Sequence, residues 1–301
     1  MEDLKDRRWF ASHLVLVKRW KEFYELLGPI GSINMCRKRK QVVSSVVLAF
    51  FLVLLTEGAA AKRYEELGKQ HQGDIVLTDI QSDAAAGGGA QIVQESFRWM
   101  KGIVPYEFSP AFTQAEKDQI TYAMSRISTY SCVRFVPRSQ QDRQFLNITA
   151  SPTGCWASLG MNLLSNELNL QPEGCLETGL IMHQLLHVLG LTHPQSRPDR
   201  DFYILVQEDA VETTLKKNLA KYQQGVIEDF GIPYDYESIL HCQSDAFGSA
   251  ATSRATVVPL VDIDIGQRIE LSLKDVRKLN KMYDYEFCGY CYRGNCNELR
   301  F

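Results

Sequence analysis

The sequence lacks the features that would assign it to several large classes of protein. Its net charge is only −3 over 301 residues, which gives no indication of a nucleic-acid partner. No internal repeat is visible along the chain. The apolar run from Val42 to Leu55 is short for a membrane span. Histidine is scarce, with six in the chain, so the positions of the histidines are informative.

The chain has enough apolar material to fold, and it carries several cysteines. Hydrophobic residues make up 45% and charged residues 23%, which suffices for one sizeable core or two small ones. Eight cysteines in a chain of this kind suggest an oxidising compartment. We therefore expect a secreted, extracellular protein.

The N-terminal region carries the pattern of a secretory signal peptide. A basic run follows Met35, the apolar run comes next, and three alanines at Ala59–Ala61 close the pattern. This predicts a signal peptide over residues 35–61. Because the pattern lies far from Met1, we interpret Met35 as the physiological start and residues 1–34 as an upstream extension. The alternative is a signal anchor with a short cytoplasmic arm.

The most specific pattern in the chain is a group of three histidines. His183 and His187 are four residues apart, so on a helix they share one face and can reach one ion. Gly190 can adopt a positive φ and end that helix, which would let His193 return as a third ligand. Three imidazoles with an open fourth position are typical of a catalytic zinc site, so we expect a Zn²⁺ ion here.

The segment from His183 to Pro194 resembles the astacin family of metzincin zinc metalloendopeptidases, whose pattern is H-E-x-x-H-x-x-G-x-x-H-E. The resemblance extends over about residues 99–288 and is nearest to short astacins of the hatching-enzyme or egg type. It implies an α+β fold in which a twisted mixed sheet carries two main helices. An irregular C-terminal half would end in a further helix, and residues 289–301 would form a cysteine-containing tail.

Four positions depart from the family pattern. Gln184 stands at the position of the general-base Glu, and an amide cannot carry a proton between water and the leaving amine. Pro194 replaces the Glu after the third histidine. Leu240 stands at the position of the Met-turn methionine, which keeps an apolar floor. Cys242 stands at the position of a tyrosine that stabilises the oxyanion, and a thiol is a shorter and weaker donor.

The resemblance also implies cysteine pairs. It places one disulfide between Cys132 and Cys288 and another between Cys155 and Cys175. Among the remaining cysteines, Cys242 could instead approach the zinc as a thiolate. Separately, Asn147 begins an N-glycosylation sequon in a segment that also reads as a strand, so its occupancy stays open.

Residues 62–98 have the composition of a loop-like linker, and the resemblance suggests that they form a pro-segment. Astacin pro-segments carry an F-x-G-D motif whose Asp blocks the zinc. Here Gly73 and Asp74 remain, although the aromatic residue is missing. Asp74 is therefore the candidate zinc-blocking residue, and a simple Gly-Asp turn is the alternative.

Further elements follow from local patterns. Residues 103–108 predict a strand, in which Pro105 favours an edge position. Thr113 and Glu116 form a capping box that predicts a helix to about Thr129. Apolar spacing predicts an amphipathic helix over residues 272–283.

Three functions are compatible with these residues. The first is a zinc-binding homologue with little or no peptidase activity, which would hold an extended peptide or a protein surface in its cleft and contact no membrane after signal removal. The second is an active endopeptidase that hydrolyses extracellular or egg-envelope proteins. The third is a metal-free scaffold, which the complete ligand set disfavours.

Overall fold

The computed structural model describes residues 64–66, 70–88, 91–92, 94–163, 165–249 and 254–284. The expected extension (1–34), signal peptide (35–61) and tail (289–301) lie outside these residues, as does Cys288. The described residues belong to one compact unit. We refer to residues 64–66 and 70–88 as the N-terminal segment.

A mixed sheet forms the first half of the fold. Its strands are β1 (Ile75–Val76), β2 (Ile103–Phe108), β3 (Arg134–Pro137), β4 (Leu146–Thr149), β5 (Cys155–Ser158) and β6 (Asn166–Leu170). They lie in the order β1-β5-β6-β4-β2-β3, and only the β5–β6 pair is antiparallel. Strand β5 therefore lies between β1 of the N-terminal segment and the rest of the sheet, and it would be an edge strand without β1.

The described residues also form four longer helices, of which the second and third contact the sheet. They are α1 (Asp79–Ala85), α2 (Gln114–Tyr130), α3 (Thr178–Val188) and α4 (Leu273–Met282). Shorter helical turns lie at Glu95–Phe97, Met100–Gly102, Pro172–Cys175, Pro194–Ser196, Arg200–Phe202 and Thr213–Leu219. The predicted capping box of Thr113 and Glu116 opens α2, and Ser272 with Asp275 forms another at α4. None of the helices in the described ranges is long and apolar enough to span a bilayer.

The main core lies between α2, α3 and the sheet. Trp99 connects three parts of it: its indole Nε1 donates to Val188 O at 2.8 Å, and its backbone N donates to the Tyr283 hydroxyl at 3.0 Å. That hydroxyl donates in turn to Leu189 O at 3.1 Å. The start of the domain, the end of α3 and the end of α4 are thus fixed together in one buried place.

The C-terminal half is irregular, as the resemblance implies, except for α4 and a small sheet. That sheet pairs β7 (Ile204–Val206) with β8 (Val257–Pro259) in antiparallel fashion. Asn147, the sequon residue, is half-buried in β4 between β2 and β6, and its glycosylation stays a prediction.

The structure corrects two local predictions. Pro105 does not lie in an edge strand, because β2 is flanked by β3 and β4. Its missing N–H is tolerated because pairing with β4 begins only at Tyr106. The N-terminal segment is not loop-like throughout, since it contributes β1 and α1. Thr78 and Gln81 form a capping box at α1, and the Gln81 side chain also donates to Leu159 O at 2.8 Å.

Cys155 and Cys175 form a disulfide across 20 residues of sequence, as the resemblance implies, and Cys132 is also disulfide-bonded. Replacing Cys155 and Cys175 by serine is expected to lower the free energy of unfolding by roughly 3 kcal/mol, because the cross-link restricts the unfolded chain. Chemical denaturation measures this loss. The matched control is Cys242→Ser, which changes a buried free cysteine without opening a cross-link. A loss no larger than that of the control would contradict the prediction.

Candidate metal centre

Helix α3 presents two of the three predicted ligands inside the protein. Its residues from Gly179 to Val188 are all buried, which agrees with their apolar composition. His183 and His187 lie on one face of this helix, and their ring centroids are 4.8 Å apart. Both rings are completely buried, so the site lies away from bulk solvent.

Gly190 ends the helix and returns the chain toward the site, as predicted. Its φ is 101°, its N–H donates to His187 O at 2.8 Å, and Leu191 N donates to Leu186 O at 2.9 Å. These two bonds satisfy the last carbonyls of α3 in a Schellman arrangement. The reversal brings the His193 ring centroid to 4.6 Å from that of His187.

The second nitrogen of each ring fixes how the three histidines are oriented. His183 Nδ1 lies 2.8 Å from Ile239 O, and His187 Nδ1 lies 2.8 Å from Leu191 O. Both oxygens are acceptors, so both Nδ1 atoms must donate. His193 Nδ1 lies 2.9 Å from the Gln72 side-chain oxygen and donates in the same way. All three Nε2 atoms are therefore left with a lone pair that faces the centre of the site.

Asp74 of the N-terminal segment completes the cluster. Its Oδ2 lies 2.9 Å from His183 Nε2 and 3.5 Å from His187 Nε2, and its Oδ1 lies 3.4 Å from His193 Nε2. The ligand atoms of all four residues lie within 4.8 Å of one another. Strand β1 holds the carboxylate there, because Ala157 N donates to Asp74 O at 2.9 Å next to the β1–β5 pairing.

The geometry of this cluster fits a zinc ion. Four ligands at about 2.0–2.2 Å from a tetrahedral zinc lie roughly 3.3 Å from one another, close to the 2.9–3.5 Å that separates the Asp74 oxygens from the three Nε2 atoms. His183 Nε2 and His187 Nε2 are 3.1 Å apart, and their lone pairs face each other. This repulsive arrangement becomes favourable when a cation binds between the two nitrogens. Asp74 Oδ1 is buried and has no hydrogen-bond partner, as expected of an atom that faces a metal.

Burial favours the neutral, metal-binding form of two of these histidines. It lowers the pKa of His193 to about 4 and also lowers the pKa of His183.

Gln184 lies one residue after the first ligand and points into the same cluster. Its side chain is fully buried, and its Nε2 donates to Asp74 Oδ2 at 2.9 Å. The opposite amide orientation would set two acceptor oxygens against each other, so the contact fixes the orientation of the amide. The Gln184 Oε1 atom has no hydrogen-bond partner.

The segment that contains Leu240 and Cys242 forms one wall of the site. Leu240 is buried in the main core. The Cys242 side chain borders the same cavity as Asp74, His183 and His193, but the fourth position of the ligand cluster is filled by Asp74. Burial raises the pKa of Cys242 to about 12, so the group is a thiol.

Asp275 of α4 fastens this wall. Its carboxylate accepts bonds from Ser238 Oγ at 2.6 Å and from Ile239 N at 2.8 Å, and Ile239 O in turn orients His183. Asp275→Ala is expected to lower the free energy of unfolding by about 2–4 kcal/mol and zinc affinity by about tenfold, because it leaves buried donors unpaired and loosens a ligand.

Denaturant unfolding and zinc competition measure these two effects. Asp275→Asn serves as the control because it keeps one acceptor oxygen. It should therefore lower the free energy of unfolding and the zinc affinity less than Asp275→Ala does. Unchanged zinc affinity in Asp275→Ala would show that Ile239 holds His183 without help from α4.

Two arginines after the third ligand connect separate parts of the C-terminal half. Arg197 binds Asp199 through two bonds of 2.8 Å and donates to Ile232 O at 3.0 Å. Arg200 donates to Gln195 O and Leu219 O. Both arginines are largely buried, whereas Asp201 beside them is exposed. Pro194 begins the helical turn between His193 and Arg197.

The sequence analysis did not identify three residues beside the site. Gln72 orients His193, and Glu65 forms a two-bond ion pair with Arg268 at 2.9 and 3.0 Å. Gln72 could have been found, because it directly precedes the Gly-Asp pair. Nothing local marks Arg268, since it lies in an irregular stretch far from the histidines in sequence.

Comparisons with known proteins agree with this site. The profile of the astacin family of peptidases matches residues 91–284. The chain is 34% identical over 193 residues to the zinc metalloproteinase nas-14 of Caenorhabditis elegans, covering 64% of this chain and 37% of that protein. It is 32% identical over 237 residues to nas-4 of the same organism, covering 77% of this chain and 74% of that protein.

A solved structure shows the same fold. High choriolytic enzyme 1, a hatching enzyme zinc-protease from the medaka fish Oryzias latipes, superposes with a TM-score of 0.59 at 31% identity. The alignment covers 64% of this chain and 96% of that one. The mixed sheet, the helices and the three histidines define a metzincin fold with a zinc site at His183, His187 and His193. The chain belongs to the astacin family of zinc metallopeptidases.

Proposed function

We propose that this chain is a secreted, zinc-binding astacin homologue whose proteolytic activity is lost or strongly impaired. The observation that carries the proposal is the Gln184 amide, which is buried beside the ligand cluster and donates to Asp74. Similarity to the medaka hatching enzyme supports the short hatching-enzyme or egg type as its subgroup. The chain spans 37% of the length of nas-14.

The chemistry at position 184 explains the expected loss. Zinc, when bound, supplies a Lewis acid that lowers the pKa of a bound water. The chain must then supply a group that takes a proton from that water and passes it to the leaving amine, and this is worth about 10²–10⁴-fold in rate. The Gln184 nitrogen donates and its oxygen is not basic, so neither atom performs this transfer. Among the described residues no other carboxylate than Asp74 lies in the ligand cluster.

Cys242 adds a second deficiency in this proposal. It stands at the position of the family's oxyanion-stabilising tyrosine, and its buried group is a thiol. A thiol is shorter than a phenol and donates weakly. Loss of one oxyanion donor typically costs about 10²–10³-fold in rate.

Residues 62–98 serve as a pro-segment in this proposal, with Asp74 as the zinc-blocking ligand. Two features support this role: the position of the Asp74 carboxylate among the three imidazoles, and the pairing of β1 with β5. Strand β5 is the edge at which an extended peptide could add to the sheet. An extended peptide or a protein segment is therefore the proposed ligand of the cleft once this segment leaves.

The protein follows the secretory route in this proposal. The expected signal peptide over 35–61 would direct it to secretion, and the Cys155–Cys175 disulfide supports an oxidising compartment. The second disulfide, between Cys132 and Cys288, and glycosylation at Asn147 belong to the same proposal.

Zinc content and cleavage together test the proposed function. The full chain, secreted from cultured cells, is expected to carry about one zinc per chain. It should show no chelator-sensitive cleavage of a quenched peptide library, either as wild type or as Asp74→Ala, in which the blocking carboxylate is removed. Brisk chelator-sensitive cleavage would instead identify an active endopeptidase that acts on extracellular or egg-envelope proteins.

A further inference from the structure

A cavity of about 490 Å³ lies between the N-terminal segment and the helical turn Thr213–Leu219. We call it the segment cavity. None of the described residues that line it is a ligand of the metal centre, and among them only Gln72 also borders the cavity beside the three histidines. The N-terminal segment therefore builds a second concave site together with a distant part of the chain.

Part of the lining of the segment cavity is apolar. It consists of Val76 and Leu77 at the end of β1 and of Ala85 and Ala86 at the end of α1. These residues are held in place, because β1 pairs with β5 and the capping box at Thr78 starts α1 shortly after the strand. This lining suits a small aliphatic group of a ligand.

Another part of the lining contains a buried acceptor with no partner. Gln70 borders the cavity, and its Oε1 atom is buried without a hydrogen bond. The backbone here forms a tight loop, in which Gly73 N donates to Gln70 O at 3.2 Å and His71 and Ile75 exchange two bonds of 3.0 Å. Because an unpaired buried acceptor is unfavourable, a ligand gains affinity by bringing an N–H or O–H to this oxygen.

The turn Thr213–Leu219 supplies the charge of the segment cavity. Lys217 and Asn218 line it; the Asn218 residue is only 2% exposed, whereas Lys217 is exposed. Among the described lining residues, Lys217 is the one lysine or arginine, and none is acidic. An ammonium group together with an amide N–H is suited to a carboxylate. The neighbouring Lys216 borders a different cavity.

We propose that the segment cavity binds an N-acylated amino acid with an aliphatic side chain. Its carboxylate lies at Lys217 and Asn218, its N–H donates to Gln70 Oε1, and its side chain packs on the apolar lining. A free N-acyl amino acid and the C-terminal residue of a peptide share this chemistry. The site is separate from the metal ligands, so it does not depend on whether the chain cleaves peptides.

Such a ligand holds the N-terminal segment in place, because it contacts both the segment and the turn. Gln72 borders the segment cavity and accepts from His193 Nδ1 at 2.9 Å, so the same loop reaches the third histidine. A ligand that binds only when both sides of its site are assembled stabilises the assembled form by mass action. The ligand is thus an effector that keeps the segment against the rest of the chain.

N-acetyl-L-leucine is the probe for this site. With the full chain, saturation-transfer NMR is expected to show that it binds. The neutral N-acetyl-L-leucinamide should bind about tenfold more weakly, and so should the acetate ester of leucic acid, in which oxygen replaces the N–H. Lys217→Gln is expected to remove the preference for the acid over the amide. Gln70→Leu should remove the preference for the N–H over the ester.

Lys216→Gln is the matched control, since Lys216 is also exposed on the same turn but lines another cavity. It removes the same charge and should leave every affinity unchanged. No saturation transfer to the probe, or equal losses in Lys216→Gln and Lys217→Gln, would overturn the proposal. Acetyl-Ala-Ala-Leu distinguishes the two sources: tighter binding than the probe identifies a peptide C-terminus, and weaker binding identifies a free N-acyl amino acid.

Hydrogen exchange measures whether the ligand holds the segment. Ile75 N donates to His71 O at 3.0 Å, so its exchange requires this loop to open. At ten times its dissociation constant, the probe is expected to slow this exchange by about tenfold in the wild type and in Lys216→Gln. The same concentration should slow it less in Lys217→Gln. Unchanged exchange while the probe is bound would refute the effector role.

Discussion

Gln184→Glu in a chain that also carries Asp74→Ala is expected to raise the rate of peptide hydrolysis by about 100- to 10,000-fold. The change supplies the carboxylate that proton transfer requires, at a buried position next to His183. Removing the Asp74 carboxylate frees the position that it fills among the three imidazoles. The measurement is the chelator-sensitive cleavage of a quenched peptide library.

Cys242→Tyr is expected to add a further factor of about 10²–10³ to that rate, because it restores a hydroxyl donor to the wall of the cavity. The control is Gln195→Glu, which places a carboxylate near the site but against the Cys242 backbone and should restore nothing. If the combined Gln184→Glu and Cys242→Tyr changes also restore nothing, the rest of the cleft departs from a working astacin site, and loss of the base is not the sole cause of inactivity.

His187→Ala is expected to abolish zinc binding and to lower the free energy of unfolding by about 4 kcal/mol or more. A ligand present at 1,000 times its dissociation constant stabilises the folded state by about that amount. The change also leaves the buried Asp74 carboxylate without the ion that it faces. Zinc content and denaturant unfolding, each with and without a chelator, measure the two effects.

His71→Ala is the control for this prediction. His71 lies in the N-terminal segment and bonds to the Tyr222 hydroxyl at 2.9 Å, outside the ligand cluster. The His71→Ala chain should keep its zinc, and its free energy of unfolding should fall by only about 1 kcal/mol, the usual contribution of one hydrogen bond. A His187→Ala chain that still held zinc at full stoichiometry would refute the assignment of this residue as a ligand.

The sequence alone was enough to predict those features that depend on neighbouring residues. The four-residue spacing of His183 and His187 placed both rings on one helix face, and Gly190 marked the reversal that returns His193. The capping box at Thr113 located the start of α2. These features follow from helix geometry and from the conformational freedom of glycine, which depend on neighbouring residues.

The sequence alone did not predict those features that depend on contact with residues distant in the chain. Pro105 suggested an edge strand, and only the register of β2 against β4 shows why an interior strand tolerates it. The N-terminal segment read as a linker, because its strand exists only through pairing with β5. Glu65 and Arg268 form an ion pair although they are 203 residues apart in the sequence, and no local pattern indicates this contact.

The sequence by itself determined the ligand set, the family resemblance and the absence of a carboxylate at position 184, because each depends on which residue stands at a fixed spacing. Only the tertiary structure shows that the Asp74 carboxylate lies among the three imidazoles and that the Gln184 amide donates to it. The carboxylate is 109 residues from His183 in the sequence, and the pairing of β1 with β5 brings the two together.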